Sequence, residues 1–228
     1  LKSKIKINKS KYFSFLQCTK KLYLDLNTDT QIRTNNLNRS LNKNVMTDYV
    51  IDYFTSIPQY NLNKIYNTDE FLANVNNNTD FIAFDLNLKF DDLSIKYDVV
   101  TKIDNIINIY LIKSAIYTKS YYIKELSLQK YLISKLTDVS SVSNLILINN
   151  NYEFTKNDID LDEYLNIIEC ESRIDNDDLI EVENNLKNIR KEISKIKTPE
   201  IEIGSHCKNP YQCNYFDYCR TNMPYFHV

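Results

Sequence analysis

The chain has 228 residues, of which 43% are hydrophobic and 25% charged, and this composition excludes disorder over most of its length. It contains no apolar run of the ~18 residues that a membrane span needs and no recognisable signal peptide, so we expect a cytoplasmic protein with no membrane partner. The net charge of −2 excludes a protein that is basic throughout, whereas a local basic groove for nucleic acid stays compatible with it.

The first part of the chain carries apolar residues at helical spacing, and we predict helices there. The predicted helices cover residues 9–26 as one or two helices, 37–57 and 68–76, with a polar loop at 27–36. Asn8 or Ser10 is the expected cap of the first helix, and Thr68 is the expected cap of the last.

The periodicity changes to that of strands after residue 80. Three strands joined by two tight turns, Asp91-Asp92 and Asp104-Asn105, predict an antiparallel meander. Because the chain has one glycine, Asn is expected wherever a turn needs positive φ. A strand that follows the next helix is expected to pair in parallel. The predicted elements are the strands Phe81–Phe90, Leu93–Ile103 and Ile106–Lys113, a helix Tyr121–Leu136, the strands Leu145–Ile148 and Leu165–Cys170, and a charged helix over 175–197.

The order of these elements predicts a single α/β domain over residues 1–228, with a mixed sheet flanked by helices. Its predicted parts are a helical arm (1–76), a core sheet and helix (77–150), a strand and long helix (151–200) and a cysteine-rich segment (201–228). The chain is also compatible with being a fragment of a longer protein.

Four of the five cysteines form the most specific pattern in the chain. Cys207, Cys213 and Cys219 follow one another at equal intervals, and Cys18 lies near the other end. In a cytosolic protein these thiols argue against disulfides, and ligation by four thiolates suits either zinc or an iron–sulfur cluster. We expect the four to converge on one site, with Cys170 as a buried, inert thiol.

Polar residues interrupt the predicted strands at Asp85, Asp98 and Lys113. A carboxylate and a lysine on neighbouring strands are suited to hold a divalent cation and to stabilise a phosphate under attack; the alternative is that all three point to solvent.

Basic and aromatic residues follow the third strand. Lys119, Lys124 and Tyr121 are suited to neutralise phosphates and stack on bases; the alternative is a solvated helix face.

The two ends of the chain carry a resemblance to a known family. Ser10-Lys11-Tyr12, Gln17-Cys18-Thr19-Lys20 and the stretch from Gly204 to Cys219 resemble the ends of RecB-like PD-(D/E)xK nucleases. The resemblance is to the CRISPR-associated iron–sulfur exonucleases, the AddB nuclease domain and an uncharacterised bacterial family with a downstream RNase H-like domain. It implies a restriction-endonuclease-like fold closed by a [4Fe–4S] cluster on the four cysteines, with zinc as the alternative.

The resemblance also implies a catalytic set. Its members are two acids that would hold Mg²⁺ or Mn²⁺, a lysine, a helix glutamine and a candidate displaced ligand: Asp85, Asp98, Lys113, Gln129 and Glu125. The glutamate expected two residues before Lys113 is missing, because Leu111 stands there and an aliphatic side chain cannot coordinate a metal.

These observations predict a nucleic-acid-processing domain with a degenerate nuclease site, which binds DNA, expected to be single-stranded, or serves as a structural module. The second interpretation is an active DNA exonuclease that depends on Mg²⁺ or Mn²⁺ and uses a displaced metal ligand. The third is a zinc-binding interaction protein. A downstream exonuclease-like domain is an expected partner of the first two.

Overall fold

The computed structural model describes residues 5–28, 37–60, 62–153 and 159–221. The chain divides into two compact units. We call Leu37–Val182 the sheet unit, and Leu1–Asn36 together with Glu183–Val228 the terminal unit. The interpretation as a single domain stays a prediction, and most of the polar loop predicted at 27–36 lies outside the described residues.

The helices and strands agree closely with the predicted elements. The α-helices are α1 (Lys9–Gln17), α2 (Thr19–Asn27), α3 (Leu37–Ser56), α4 (Thr68–Asn76), α5 (Ser120–Leu136), α6 (Leu161–Tyr164), α7 (Asn176–Ile193) and α8 (Phe216–Arg220). The strands are β1 (Asn63–Lys64), β2 (Phe81–Phe84), β3 (Asn87–Phe90), β4 (Leu93–Lys96), β5 (Val99–Ile103), β6 (Ile106–Ile112), β7 (Ser141–Ile148) and β8 (Leu165–Glu169). None of the helices in the described ranges is both long and apolar enough to cross a membrane.

The sheet unit is built on a six-stranded mixed sheet in the order β1-β2-β5-β6-β7-β8. The meander β2-β5-β6 is antiparallel, and β7 pairs in parallel with β6 after the crossover through α5. Tyr110 and Ile112 of β6 belong to the same hydrophobic cluster as Phe54 of α3, whereas Lys113, the residue after β6, reaches Glu125 of α5. The predicted α/β fold with a mixed sheet flanked by helices is therefore confirmed.

The prediction of two continuous strands at Phe81–Phe90 and Leu93–Ile103 is wrong in one respect. Each of these segments forms two shorter strands, β2 and β3 in the first and β4 and β5 in the second. The pairing of Phe84 with Val99 in one sheet and of Asn87 with Lys96 in the other belongs to one unbroken register. The result is one long hairpin, bent so that β3 and β4 leave the six-stranded sheet as a separate two-stranded sheet. The bend occurs because Asp85 adopts a φ of 57°, which turns an L-residue out of the extended conformation of a strand.

The described residues with positive φ are Asn and Asp. The near absence of glycine predicted Asn at such positions but did not predict Asp. Asp104 and Asn105 have φ of 49° and 61° and form a two-residue loop between the paired Ile103 and Ile106, as a type I′ turn requires. All five non-glycine residues with positive φ among those described are Asn or Asp: Asn78, Asp85, Asp91, Asp104 and Asn105.

The helix caps were predicted correctly for α1 and wrongly for α4. Asn8 caps α1 by accepting a hydrogen bond from the backbone N–H of Lys11. The cap of α4 is Asn67, whose side chain accepts from the N–H of Glu70. Thr68 is already helical, and its hydroxyl accepts instead from the N–H of Lys89 in β3, at 3.0 Å. Thr68 therefore ties α4 to the bent hairpin.

Candidate functional site

Asp98, one of the acids of the predicted catalytic set, lies at the bend of the hairpin. Asp98 immediately precedes β5, and its Oδ2 accepts a hydrogen bond from the backbone N–H of Ile112 at 2.9 Å. Since β5 and β6 pair Val99 with Tyr110, continuing the register by one residue places Asp98 opposite Leu111. Leu111 is fully buried. The residue opposite the acid is therefore an aliphatic side chain shielded from water. We call Asp98, Leu111, Lys113, Glu125 and Gln129 the bend site.

Lys113 and Glu125 form an ion pair in the bend site. Lys113 Nζ lies 2.7 Å from Glu125 Oε2, and the side chains are only 17% and 5% exposed. The same ammonium lies 5.3 Å from the centre of the Tyr122 ring, a distance at which a cation is attracted to the ring face. Burial raises the pKa of Tyr122 to about 12, so the phenol is neutral at pH 7. The charge of Lys113 is thus balanced by the helix, and an anionic substrate would have to compete with Glu125 for it.

Gln129 lies one helical turn after Glu125 on α5 and is almost completely buried. Its backbone carbonyl accepts a hydrogen bond of 2.7 Å from the hydroxyl of Tyr97, whose pKa burial raises well above its ordinary value. Tyr97 therefore stays a donor and fixes α5 against the bent hairpin. The side-chain Oε1 of Gln129 is buried without a hydrogen-bond partner in the described part of the chain. Such an acceptor costs about 1–3 kcal/mol, and an ordered water or a bound group would satisfy it.

The side chain of Asp85 points to solvent, which was the alternative to metal binding in the sequence analysis. Its carboxylate lies 2.6 Å from Lys96 Nζ, and the two side chains are 69% and 64% exposed. Although Asp85 and Asp98 are joined at the bend by the hydrogen bond from Asp85 N–H to the Asp98 carbonyl, only Asp98 directs its carboxylate to β6. Within residues 5–28, 37–60, 62–153 and 159–221, no group of three His, Cys, Asp or Glu residues is placed to hold a metal ion.

The basic residues predicted to contact nucleic acid lie at the start of α5. Lys119 is exposed, and its Nζ lies 6.0 Å from the centre of the Tyr121 ring. Tyr117, just before them, is 64% exposed. Lys124 instead pairs with Glu181 at 3.0 Å; this pair is half exposed and therefore contributes at most about 1 kcal/mol. Lys119 and Tyr117 are exposed and Tyr121 is half-buried, while the charge of Lys124 is partly offset.

The terminal unit brings the four predicted cysteines together around one pocket. Cys18 lies between α1 and α2, Cys207 ends a short 3₁₀ turn, and Cys219 belongs to α8. Cys213 packs with Cys207 and Leu24. All five cysteines are free thiols, and Cys170 is fully buried in the sheet unit. We call Cys18, Cys207, Cys213 and Cys219 with their surroundings the cysteine pocket.

Burial favours the neutral form of two thiols in this pocket. It raises the pKa of the Cys213 thiol, whereas a backbone hydrogen bond from Tyr215 and the charge of Lys21 lower that pKa. Burial also raises the pKa of the Cys219 thiol, whereas the charge of Lys20 lowers it. Four cysteines that line one pocket are the kind of donor set that zinc or an iron–sulfur cluster takes, and a bound metal would favour their thiolate forms.

Gln17 holds the cysteine-rich segment against the N-terminal helices. Its Nε2 donates to the carbonyls of His206 and Tyr211, at 3.0 and 2.7 Å, and its Oε1 accepts from Lys21 Nζ at 2.6 Å. The side chain is 8% exposed and uses every hydrogen it can donate. The glutamine before Cys18 is thereby explained as the connection that places Cys18 beside the other three thiols.

Asp25 makes a second connection that the sequence did not indicate. It accepts hydrogen bonds from the hydroxyl of Ser14 at 2.6 Å and from that of Tyr215 at 2.9 Å. Asp25 therefore links α1, α2 and the segment between Cys213 and Cys219. No local pattern marks an aspartate on a short helix for this role.

We expect Gln17→Ala to lower the free energy of unfolding by about 2–3 kcal/mol, because two part-buried carbonyls lose their donors. Urea denaturation followed by circular dichroism measures this loss. The matched control is Lys21→Met, which removes the donor to Gln17 Oε1 but keeps both hydrogen bonds from Gln17 Nε2, and it should cost about 1 kcal/mol or less. Equal losses in the two variants would contradict the assigned role of the amide.

No family model matches the chain, and no curated protein matches it. Among solved structures, the crystal structure of a "Putative exonuclease" from Eubacterium rectale is similar to it. The similarity covers 99% of this chain and 91% of that chain, with 14% sequence identity and a TM-score of 0.47. No conclusion about activity follows from a similarity at this level.

Proposed function

We propose that the chain is a nucleic-acid-binding domain of the RecB-like nuclease type whose metal site is degenerate. The observation that carries the proposal is the burial of Leu111 opposite Asp98. Metal-dependent hydrolysis of a phosphodiester needs ligands that hold the cation and activate water. The bend site offers one carboxylate beside the strands, that of Asp98, and its other carboxylate, that of Glu125, is engaged by Lys113.

In this proposal the exposed surface around Lys119 and Tyr121 binds single-stranded DNA. Lys119 neutralises a phosphate, and Tyr121 with the exposed Tyr117 offers ring faces on which bases stack. Lys124 adds a second charge when it leaves Glu181, an exchange that a half-exposed pair permits at small cost. Cleavage is left to a downstream exonuclease-like domain. The free thiols suit the reducing cytoplasm, which is the compartment that we propose.

The proposal includes a [4Fe–4S] cluster in the cysteine pocket, bound by Cys18, Cys207, Cys213 and Cys219, with zinc as the alternative. The position of the four thiols around one pocket supports it. When bound, the cluster would supply covalent links between the two ends of the chain. Gln17 and Asp25 orient the segments that carry the ligands.

One observation favours the second candidate function, an active exonuclease dependent on Mg²⁺ or Mn²⁺. Glu125 is a buried carboxylate that approaches the strands from α5, and Gln129 beside it has an unsatisfied acceptor. If Glu125 released Lys113, it would supply the missing ligand while Lys113 turned to the phosphate. This arrangement requires breaking a part-buried ion pair, which costs several kcal/mol unless the metal replaces it.

The test uses a fluorescent single-stranded oligonucleotide with Mg²⁺ and with Mn²⁺. We expect binding that weakens as salt rises, no cleavage, and loss of binding in Lys119→Glu/Lys124→Glu. The control Lys64→Glu/Lys135→Glu makes the same change of charge at other exposed lysines and should bind nearly as the unmodified chain does. Binding that is insensitive to salt, or lost equally in both variants, would refute the assigned surface. Cleavage that Glu125→Gln abolishes would establish the second function instead.

A further inference from the structure

The only glycine in the chain is not explained by backbone freedom. Gly204 has φ −155° and ψ −170°, an extended conformation that any residue adopts. The described turns with positive φ, where glycine would have an advantage, use Asn or Asp instead. A side chain at position 204 would instead crowd its neighbour: a Cβ there would lie 3.1 Å from Nδ1 and 3.3 Å from Cε1 of His206, so the ring would have to move by a few tenths of an ångström. The absence of a side chain at Gly204 makes room for an imidazole ring.

The other nitrogen of that ring faces a predicted cluster ligand. His206 Nε2 lies 3.4 Å from Cys207 Sγ, a hydrogen-bonding distance for sulfur. The backbone of His206 is fixed as well, because its carbonyl accepts from Gln17 Nε2 at 3.0 Å. The side chain lines the pocket together with all four thiols. The ring is therefore held between Gly204 on one side and a thiol of the cysteine pocket on the other.

We propose that His206 is a positioning residue of the cysteine pocket, whose Nε2–H donates a hydrogen bond to the sulfur of Cys207, and that Gly204 serves to admit its ring. This inference rests on the cluster proposed above. Hydrogen bonds to the sulfurs of a cluster are among the determinants of its reduction potential. A donor at Cys207 stabilises the more negative, reduced state of the cluster, so the reduction potential is higher with His206 than without it.

The test compares the unmodified protein with His206→Phe, which keeps a ring but has no donor, and His206→Gln, which offers an amide donor. Iron and sulfide content are measured first, and the reduction potential is then measured by spectroelectrochemistry under nitrogen. We expect His206→Phe to keep its iron and to shift the equilibrium about tenfold toward the oxidised cluster, about 59 mV for one electron. His206→Gln should restore most of the shift. Gly204→Ala should shift it in the same direction as His206→Phe, and the exposed neighbour Ser205→Ala should not shift it.

The outcomes separate this inference from the proposal on which it rests. An unmodified protein that binds neither iron nor zinc overturns both. Iron at the level of the unmodified protein with an unchanged potential in His206→Phe overturns the inference alone. Loss of the iron from His206→Phe and from His206→Gln makes His206 a ligand and overturns the positioning role. If the metal is zinc, the potential is replaced by the rate of zinc transfer to a chelator, which His206→Phe should increase and His206→Gln should not.

Discussion

Replacing Cys213 by serine is expected to remove the metal from the protein and to lower its free energy of unfolding by about 3 kcal/mol or more. A group that binds only the folded chain contributes its binding free energy to stability, and serine does not replace a thiolate as a ligand. Cys213 is nearly buried, and its N–H donates to the carbonyl of Cys207 at 2.7 Å, so the substitution preserves the volume and the backbone bonds. Protein purified without oxygen should be brown before the substitution and colourless after it. Iron analysis and thermal denaturation measure the two effects.

The matched control for this prediction is Cys170→Ser. Cys170 is also a buried thiol, but it lies in the sheet unit and does not line the cysteine pocket. Its replacement should leave the colour and the iron content unchanged and affect only local packing. A chelator should destabilise the unmodified protein and leave the stability of Cys213→Ser unchanged. Full metal content in Cys213→Ser would exclude the proposed ligand set.

Leu111→Glu is expected to make the stability of the protein depend on divalent cations, whereas we expect no such dependence in the unmodified chain. The new carboxylate would stand opposite Asp98, with Lys113 two residues farther on the same face of β6. Because Leu111 is fully buried, a charge there destabilises the metal-free fold by several kcal/mol. Mn²⁺ or Mg²⁺ should restore that loss by binding the folded state. We expect a melting temperature that rises with Mn²⁺, and cleavage of single-stranded DNA at least about 100-fold above that of the unmodified chain.

Leu111→Gln controls for the burial of a polar group without a charge. It should be destabilised as well, yet its melting temperature should not depend on Mn²⁺. Adding Asp98→Ala to Leu111→Glu should abolish both the response to the metal and the cleavage. Robust Mg²⁺-dependent cleavage by the unmodified chain would contradict the prediction and direct attention to Glu125.

The sheet was predictable from the sequence because its connections are local. Asp91-Asp92 and Asp104-Asn105 are turn residues between apolar runs, and the crossover helix α5 requires a parallel partner for β6. The break at Asp85 was not predictable, because the register of the hairpin passes through it without a shift. The sequence shows that Asp85 is a polar residue within an apolar run. It does not show that its φ is positive, and it is the positive φ that bends the hairpin.

The cysteines of the candidate site were predictable from the sequence, whereas the residues that support them were not. The spacing of the cysteines restricts them to a few kinds of site, and the structure brings them to one pocket. Their supports, Gln17 and Asp25, depend on hydrogen bonds between residues almost the whole chain apart, which no window of sequence contains. The ion pair between Lys113 and Glu125 was also not predictable from the sequence. The sequence indicated Glu125 only as a candidate metal ligand.

The terminal unit consists of the two ends of the chain, with Leu37–Val182 between them, and this order has a consequence for biosynthesis. A ribosome adds about 5–20 residues per second, so Cys18 emerges roughly 10–40 s before Cys219 exists. The meander closes through short turns and can form during that interval, whereas bringing the two ends together costs the entropy of a very long loop. A metal centre on all four thiols, as proposed above, could therefore be completed only after Cys219 has emerged, and until then the thiol of Cys18 has none of the other three thiols beside it.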